Sequence, residues 1–234
     1  MKAARITIIV FVIILVISLS FFIEDFLKYI ESNHASNQLI EDVITKEDGE
    51  IKIDWIQLEN INKDIVGWIR IENTNINYPI LKDDNSLKYL KKSFNGDYNK
   101  NGSIFTLNDN PFEDNLTVIY GHNMRNGIMF SELDKYMNED FFNTHSTIYI
   151  YTKKQNYKAT IFSYYSVAED VEKNNIKQLE FNEEIQYYKK ASKYSINNIS
   201  KIKKIVKLST CSYKNNKCTP TEQRCYVIAE LEVI

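Results

Sequence analysis

Residues 205–211 read I-V-K-L-S-T-C, and residues 224–233 read R-C-Y-V-I-A-E-L-E-V. Both runs are dense in β-branched, aliphatic and aromatic residues, and a polar stretch separates them, which is the pattern of two strands joined by a loop. The first predicts a strand over 202–209 with Cys211 just beyond its end, and the second a strand over 226–233 with Arg224 just before its start. A nucleophile candidate and a cation thus stand at strand ends, where loops and binding sites gather.

Working toward the N-terminus, similar short runs predict strands over 67–71, 76–80, 103–107, 116–120, 147–151 and 157–167. Eight strands at such spacing fit a sandwich or a closed barrel. Helical patterns interrupt them over 129–136 and, more clearly, over 181–194, between the sixth and seventh predicted strands. In the latter Asn182 suits an N-cap, Glu183 and Glu184 complement the positive helix end, and Lys189, Lys190 and Lys193 fall toward the negative end. The reading is a mainly β, α+β domain and not a doubly wound sheet. It starts near Ile51, where Ile51, Ile53, Trp55, Ile56 and Leu58 begin to supply apolar side chains.

Ahead of that domain, I-T-I-I-V-F-V-I-I-L-V-I-S-L-S-F-F-I at 6–23 carries no charge, Pro or Gly. As a helix it would span about 27 Å, close to the thickness of a bilayer's hydrocarbon core. Lys2 and Arg5 precede it and Glu24 and Asp25 follow, so the positive-inside bias keeps 1–5 in the cytoplasm and exports the rest. Residues 24–50 are mostly polar and read as an extracellular stalk, leaving 51–234 as the folded domain. The competing reading is a cleaved signal peptide with its cut near Ser18-Leu19-Ser20. Phe21, Phe22 and Ile23 carry the apolar run past that point and favour an uncleaved anchor.

The formal charge of −2 gives no global field for nucleic acid. Three cysteines, Cys211, Cys218 and Cys225, make no disulfide framework, and their C-x6-C-x6-C spacing lacks the closely paired ligands of a zinc site. With no P-loop, dinucleotide fingerprint or H-E-x-x-H, neither a metal nor a cofactor is expected. Among the three histidines, His34 lies in the stalk and His145 in a polar N-T-H-S turn, whereas His122 follows a strand in Y-G-H-N. A strand-end cysteine is by default a small buried hydrophobe, but Ser209, Thr210 and Ser212 around Cys211 suit a groove edge better. Arg224 leading into an apolar strand needs a partner or substrate at its head, unless it snorkels along an edge.

Together these segments resemble the sortases, membrane-anchored cysteine transpeptidases of Gram-positive bacteria, and class B in particular. The resemblance is carried by I-V-G-W-I-R-I at 65–71, N-I-N-Y-P-I at 75–80, G-S-I-F at 102–105, V-I-Y-G-H-N-M at 118–124, M-F-S-E-L at 129–133, L-S-T-C at 208–211 and R-C-Y-V-I-A at 224–229. It implies an eight-stranded closed β-barrel with peripheral helices, the 181–194 helix being the insertion that marks class B. It also implies Cys211 as nucleophile, His122 as general acid and base, and Arg224 as the group that stabilises the oxyanion or substrate. Ser209 and Thr210 would line the groove, and Asn85 and Leu90 would form part of its wall.

The substrates so implied are secreted surface proteins with a C-terminal sorting motif, and the acceptor is an amine of a cell-wall peptidoglycan precursor. Two departures stand out: Lys207 occupies a position where Thr is common, and the stretch from Cys211 to Arg224 is long and contains Cys218. No Asp or Glu lies between Cys211 and Thr221, so arginine is the better third partner. A hydrolytic protease using water as acceptor, or a catalytically silent membrane-tethered peptide-binding module, are the alternatives.

Overall fold

The structure is a computed structural model that describes residues 2–47, 49–194, 202–211 and 222–234. It divides into two compact units, Met1–Lys52 and Ile53–Ile234.

In the first unit, helix α1 spans Lys2–Val43 and is followed by strands β1 (Ile44–Glu47) and β2 (Glu50–Ile53), which pair as a two-stranded sheet. Consecutive apolar side chains from Ile8 to Ile17 are all exposed. At 3.6 residues per turn such a run covers the whole circumference of the helix, unlike the one-sided stripe of a helix that packs on a core. Among the described residues no helix is long and apolar enough to cross a membrane, so the span expected over 6–23 is not shown.

The second unit opens with α2 (Trp55–Ile61), whose N-cap Asp54 accepts from the Gln57 N–H at 2.9 Å. Helical periodicity here buries Leu58 and leaves Ile56 74% exposed, so the apolar stretch starting at Ile51 supplies less core than expected. The barrel strands follow: β3 (Ile65–Arg70), β4 (Asn77–Lys82), β5 (Ile104–Thr106), β6 (Leu116–Tyr120), β7 (Thr147–Tyr151), β8 (Asn156–Ala168), β9 (Ile205–Cys211) and β10 (Gln223–Val233). They close in the order β10-β8-β7-β3-β4-β5-β6-β9, so all eight predicted strands belong to one closed barrel. Most pairs are antiparallel, but β4 with β5 and β6 with β9 run parallel.

Alternation along the strands sorts side chains into two cores. Ile69, Ile80, Ile119, Ile161, Leu208 and Val227 are among those filling the barrel. Phe162, Tyr165, Ile205, Tyr226 and Ile228 point outward and are covered by Ile185 and Tyr188 of helix α5 (Phe181–Ala191). A register shift between Ile228 and Ala229 inserts an extra β8 residue, allowing Phe162 to join this outer cluster.

Helix α5 is the helix expected over 181–194, but its N-cap is Glu180 and not Asn182: the Glu183 carboxylate accepts from the Glu180 N–H at 2.9 Å. The 129–136 stretch is a 3-10 segment over Ser131–Met137, followed by α3 (Glu139–Thr144). Helix α4 (Glu169–Ile176), directly after β8, has no counterpart in the sequence reading.

Candidate active site

On β9, Val206 and Leu208 enter the barrel while Ile205 faces the outer cluster, so Lys207, Ser209 and Cys211 share the outer face. Arg224 of β10 pairs with Cys211, Tyr226 with Ser209, and Tyr120 of β6 also with Ser209. Directly opposed residues in an antiparallel ladder stand about 4.5–5.5 Å apart between Cα atoms and project to the same side. The nucleophile candidate and the arginine are therefore neighbours on one surface, with Tyr120, Ser209 and Tyr226 as the floor beside them.

His122 reaches this end of the barrel by a continued ladder. Past β6 the Gly121 N–H donates to the Ser209 carbonyl at 3.2 Å, and the Phe130 N–H donates to the His122 carbonyl at 2.9 Å. Its ring nitrogen Nε2 lies 2.9 Å from the Leu90 carbonyl oxygen. A carbonyl can only accept, so Nε2 carries the hydrogen and Nδ1 is the nitrogen left to take a proton in the neutral ring. Gly102 lies against the same ring: a Cβ there would stand 2.6 Å from the Tyr89 carbonyl oxygen, 2.8 Å from that of Leu90 and 3.0 Å from His122 Cδ2.

The next residue, Asn123, was not singled out in the sequence although it completes the Y-G-H-N run. Its Nδ2 donates to Asp134 Oδ2 at 2.7 Å and to the Cys211 carbonyl at 2.8 Å. One amide thus ties the histidine's turn to the end of the cysteine's strand. Asp134 also accepts from Cys225 Sγ at 3.0 Å, on the barrel side of β10, where Cys225 is fully buried. Local context gave no sign of Asp134, since only the fold brings 134 to 123.

The remaining predicted residues divide. Ser209, 6% exposed, shares the outer face with Cys211, but Thr210 points the opposite way and its hydroxyl donates to the Gly121 carbonyl at 2.7 Å. Strand alternation forbids both from lining one groove. Leu90 is beside His122 through its carbonyl, whereas Asn85 is exposed in the preceding loop with a left-handed φ of 67°. His145 caps α3 and stacks on Phe141 at 3.9 Å, away from this set. Cys218 lies outside the described residues.

Two acids that sequence reading passed over complete the surroundings. Glu169 Oε2 lies 2.8 Å from the Arg224 guanidinium, and its carboxyl is held below the usual carboxylate range by a hydrogen bond from Lys173 and by Arg224's charge. Lys207 forms a buried ion pair with Glu172, and burial pushes its ammonium pKa down while the nearby carboxylate opposes that shift.

The sequence pattern described as the sortase domain matches residues 69–232. Sortase B of Listeria monocytogenes is 36% identical over 173 residues, covering 71% of this chain and 70% of that protein. The solved structure of Clostridium perfringens sortase B superposes with a TM-score of 0.68 at 30% identity, over 76% of this chain and all of that one. The Staphylococcus aureus sortase B–substrate complex gives a TM-score of 0.65 at 29% identity, over 77% of this chain and 85% of that one. The chain belongs to the sortase family. Within it the chain is of class B, and its activity is transpeptidation.

Proposed function

We propose that Cys211 is the nucleophile, His122 the proton carrier and Arg224 the oxyanion partner in cleaving the C-terminal sorting motif of secreted proteins and transferring the acyl group to a cell-wall amine. The observation that carries this reading is the pairing of Arg224 with Cys211 across one ladder, with Asn123 bonding the histidine's turn to the Cys211 carbonyl. Ser209 flanks the nucleophile on the same face.

In the first half-reaction the Cys211 thiolate adds to the substrate carbonyl carbon, and the resulting oxyanion is met by Arg224. Collapse breaks the C–N bond; the leaving amine takes a proton from His122, and a thioester remains. In the second half an incoming amine adds to the thioester and gives its proton to His122. The oxyanion again meets Arg224, and collapse releases the thiolate. A guanidinium aimed at the developing charge is worth about 3–4 kcal/mol in sites of this type.

The 6–23 run serves as a signal anchor, with 1–5 in the cytoplasm, 24–50 as the stalk and 51–234 as the catalytic domain outside the cell. Its support is the exposure of apolar side chains around the full circumference of α1, between Lys2 and Arg5 on one side and Glu24 and Asp25 on the other. Anchoring there brings the enzyme to the membrane face at which exported substrates and wall precursors meet.

The test is a pool of quenched-fluorescent peptides with a central threonine and randomised flanks, incubated with and without hydroxylamine. Wild-type protein is expected to release fluorescence and, with the amine present, to yield peptidyl hydroxamate; Cys211→Ala is expected to do neither. Cleavage that persists in Cys211→Ala overturns the assignment, and free acid as the sole product with amine present turns it to hydrolysis.

A further inference from the structure

Helix α4 is seated in an unusual way. It runs for 8 residues, its N-cap Ala168 supplies no side-chain cap, and its one buried residue is Glu172. A helix this short has little stability of its own and must be held by tertiary contacts. Here one buried charge, with Ile176 packed at the helix end, takes the place of an apolar stripe.

That charge is paired and hydrogen-bonded. Glu172 Oε1 accepts from Lys207 and, at 2.6 Å, from the Tyr165 hydroxyl, while Oε2 accepts from the Tyr187 hydroxyl at 2.8 Å. The Lys207 ammonium sits over two aromatic faces, 4.3 Å from the ring centre of Tyr226 and 4.8 Å from that of Tyr188. Buried ions are tolerated where they are paired and hydrogen-bonded, as this carboxylate is by Lys207 and two tyrosine hydroxyls. The lysine that departs from the commoner Thr thus has a role in this chain: it neutralises the acid that α4 inserts.

One turn before Glu172, on the same face of the helix, is Glu169. It pairs with Arg224 at 2.8 Å and with Lys173 at 2.7 Å. Two of the three carboxylates of α4, Glu169 and Glu172, therefore grip the two cations that β9 and β10 turn outward, Lys207 four residues before Cys211 and Arg224 directly across from it. Arg224 has several rotatable bonds and a side chain 26% exposed; its NH1 also donates to its neighbour's carbonyl, that of Gln223, at 3.3 Å, but Glu169 is the carboxylate that pairs with its charge from another element.

We propose that Glu169 is a positioning residue that holds the Arg224 guanidinium at the Cys211 end of the groove, and that the Glu172–Lys207 pair seats the helix carrying it. The inference rests on the oxyanion role given to Arg224 above. Glu169 acts through Arg224 and needs no contact with substrate.

A double-mutant cycle in kcat/KM tests it, using the threonine-centred peptide that wild type cleaves fastest and Cys211→Ala as the blank. Glu169→Ala is expected to lower kcat/KM about tenfold with an unchanged near-ultraviolet circular dichroism spectrum, and to cost nothing further in an Arg224→Ala background. Lys207→Met is expected to lower kcat/KM by a similar factor. Adding Glu172→Gln, which removes the lone buried charge and can still bond both tyrosines, accepting from one hydroxyl and donating to the other, should restore it to within threefold of wild type.

The positioning role is overturned if Glu169→Ala stays within twofold of wild type, or if its loss multiplies undiminished with that of Arg224→Ala. The seating role is overturned if Lys207→Met stays within twofold, or if the Glu172→Gln addition gives no recovery. Activity that survives in Cys211→Ala would instead remove the reading on which the inference stands.

Discussion

Replacing Gly102 with Ala probes how tightly the histidine is held. The residue has φ +62°, where an L side chain costs about 1–2 kcal/mol. Its new Cβ would also meet two backbone carbonyls, at 2.6 and 2.8 Å, distances that real Cβ atoms essentially never show. Backbone cannot swing aside as a side-chain tip can, so the 89–90 segment must shift, adding about 1–3 kcal/mol of overpacking. The sum, about 2–5 kcal/mol, corresponds to a fall in Tm of roughly 5–15 °C for a domain of this size.

The shift has a chemical consequence, because the Leu90 carbonyl is what fixes His122 Nε2. We expect kcat to fall at least tenfold in protein still folded at the assay temperature. Gly96 supplies the control: its φ is +91°, yet a Cβ there meets nothing within 4 Å, so Gly96→Ala carries the backbone strain without the clash. Thermal unfolding and peptide cleavage on the two variants isolate the close approach. If Gly102→Ala is no less stable than Gly96→Ala and keeps its kcat, the packing account of His122 is wrong.

Three more outcomes are expected. Arg224→Lys keeps the charge but loses the planar fork, and should lower kcat/KM about a hundredfold, or about 2.7 kcal/mol of transition-state stabilisation, with little change in Tm; retention of half the wild-type value would refute a bidentate role. Asn123→Ala leaves the Cys211 carbonyl and Asp134 each short of a donor, costing about 1–3 kcal/mol in urea unfolding and lowering kcat more than it changes KM, whereas an effect on KM alone would place Asn123 in substrate binding instead. A chain starting at residue 26 should stay dispersed without detergent and cleave peptide at the full-length rate; aggregation of that chain would mean that 6–23 belongs to the fold.

The barrel was legible because each strand is a short β-rich run between turn signals, and because seven separate motifs share one order. Register was less so. Naming both Ser209 and Thr210 as groove residues ignored the two-residue period, which sends Thr210 to the Gly121 carbonyl inside the barrel. Helix α4 was illegible for a physical reason: E-D-V-E-K-N-N-I has no apolar face, and its buried residue is an acid whose partner lies 35 positions away. Separation along the chain also hid Glu169 beside Arg224 and Asp134 beside Asn123, while Asn85, expected in the groove wall from the resemblance, lies in an exposed loop.

Cys211 and Arg224 occupy a single rung of the ladder, so the chain that leaves the barrel after one returns at the other. The separation of the two side chains is then set by β9 and β10 and is indifferent to what is spliced between them. Closing a longer excursion costs only a logarithmic entropy term, about 0.6 kcal/mol for each doubling. A slip of either strand by one rung would therefore part the reacting pair, whatever lies between the strands in sequence.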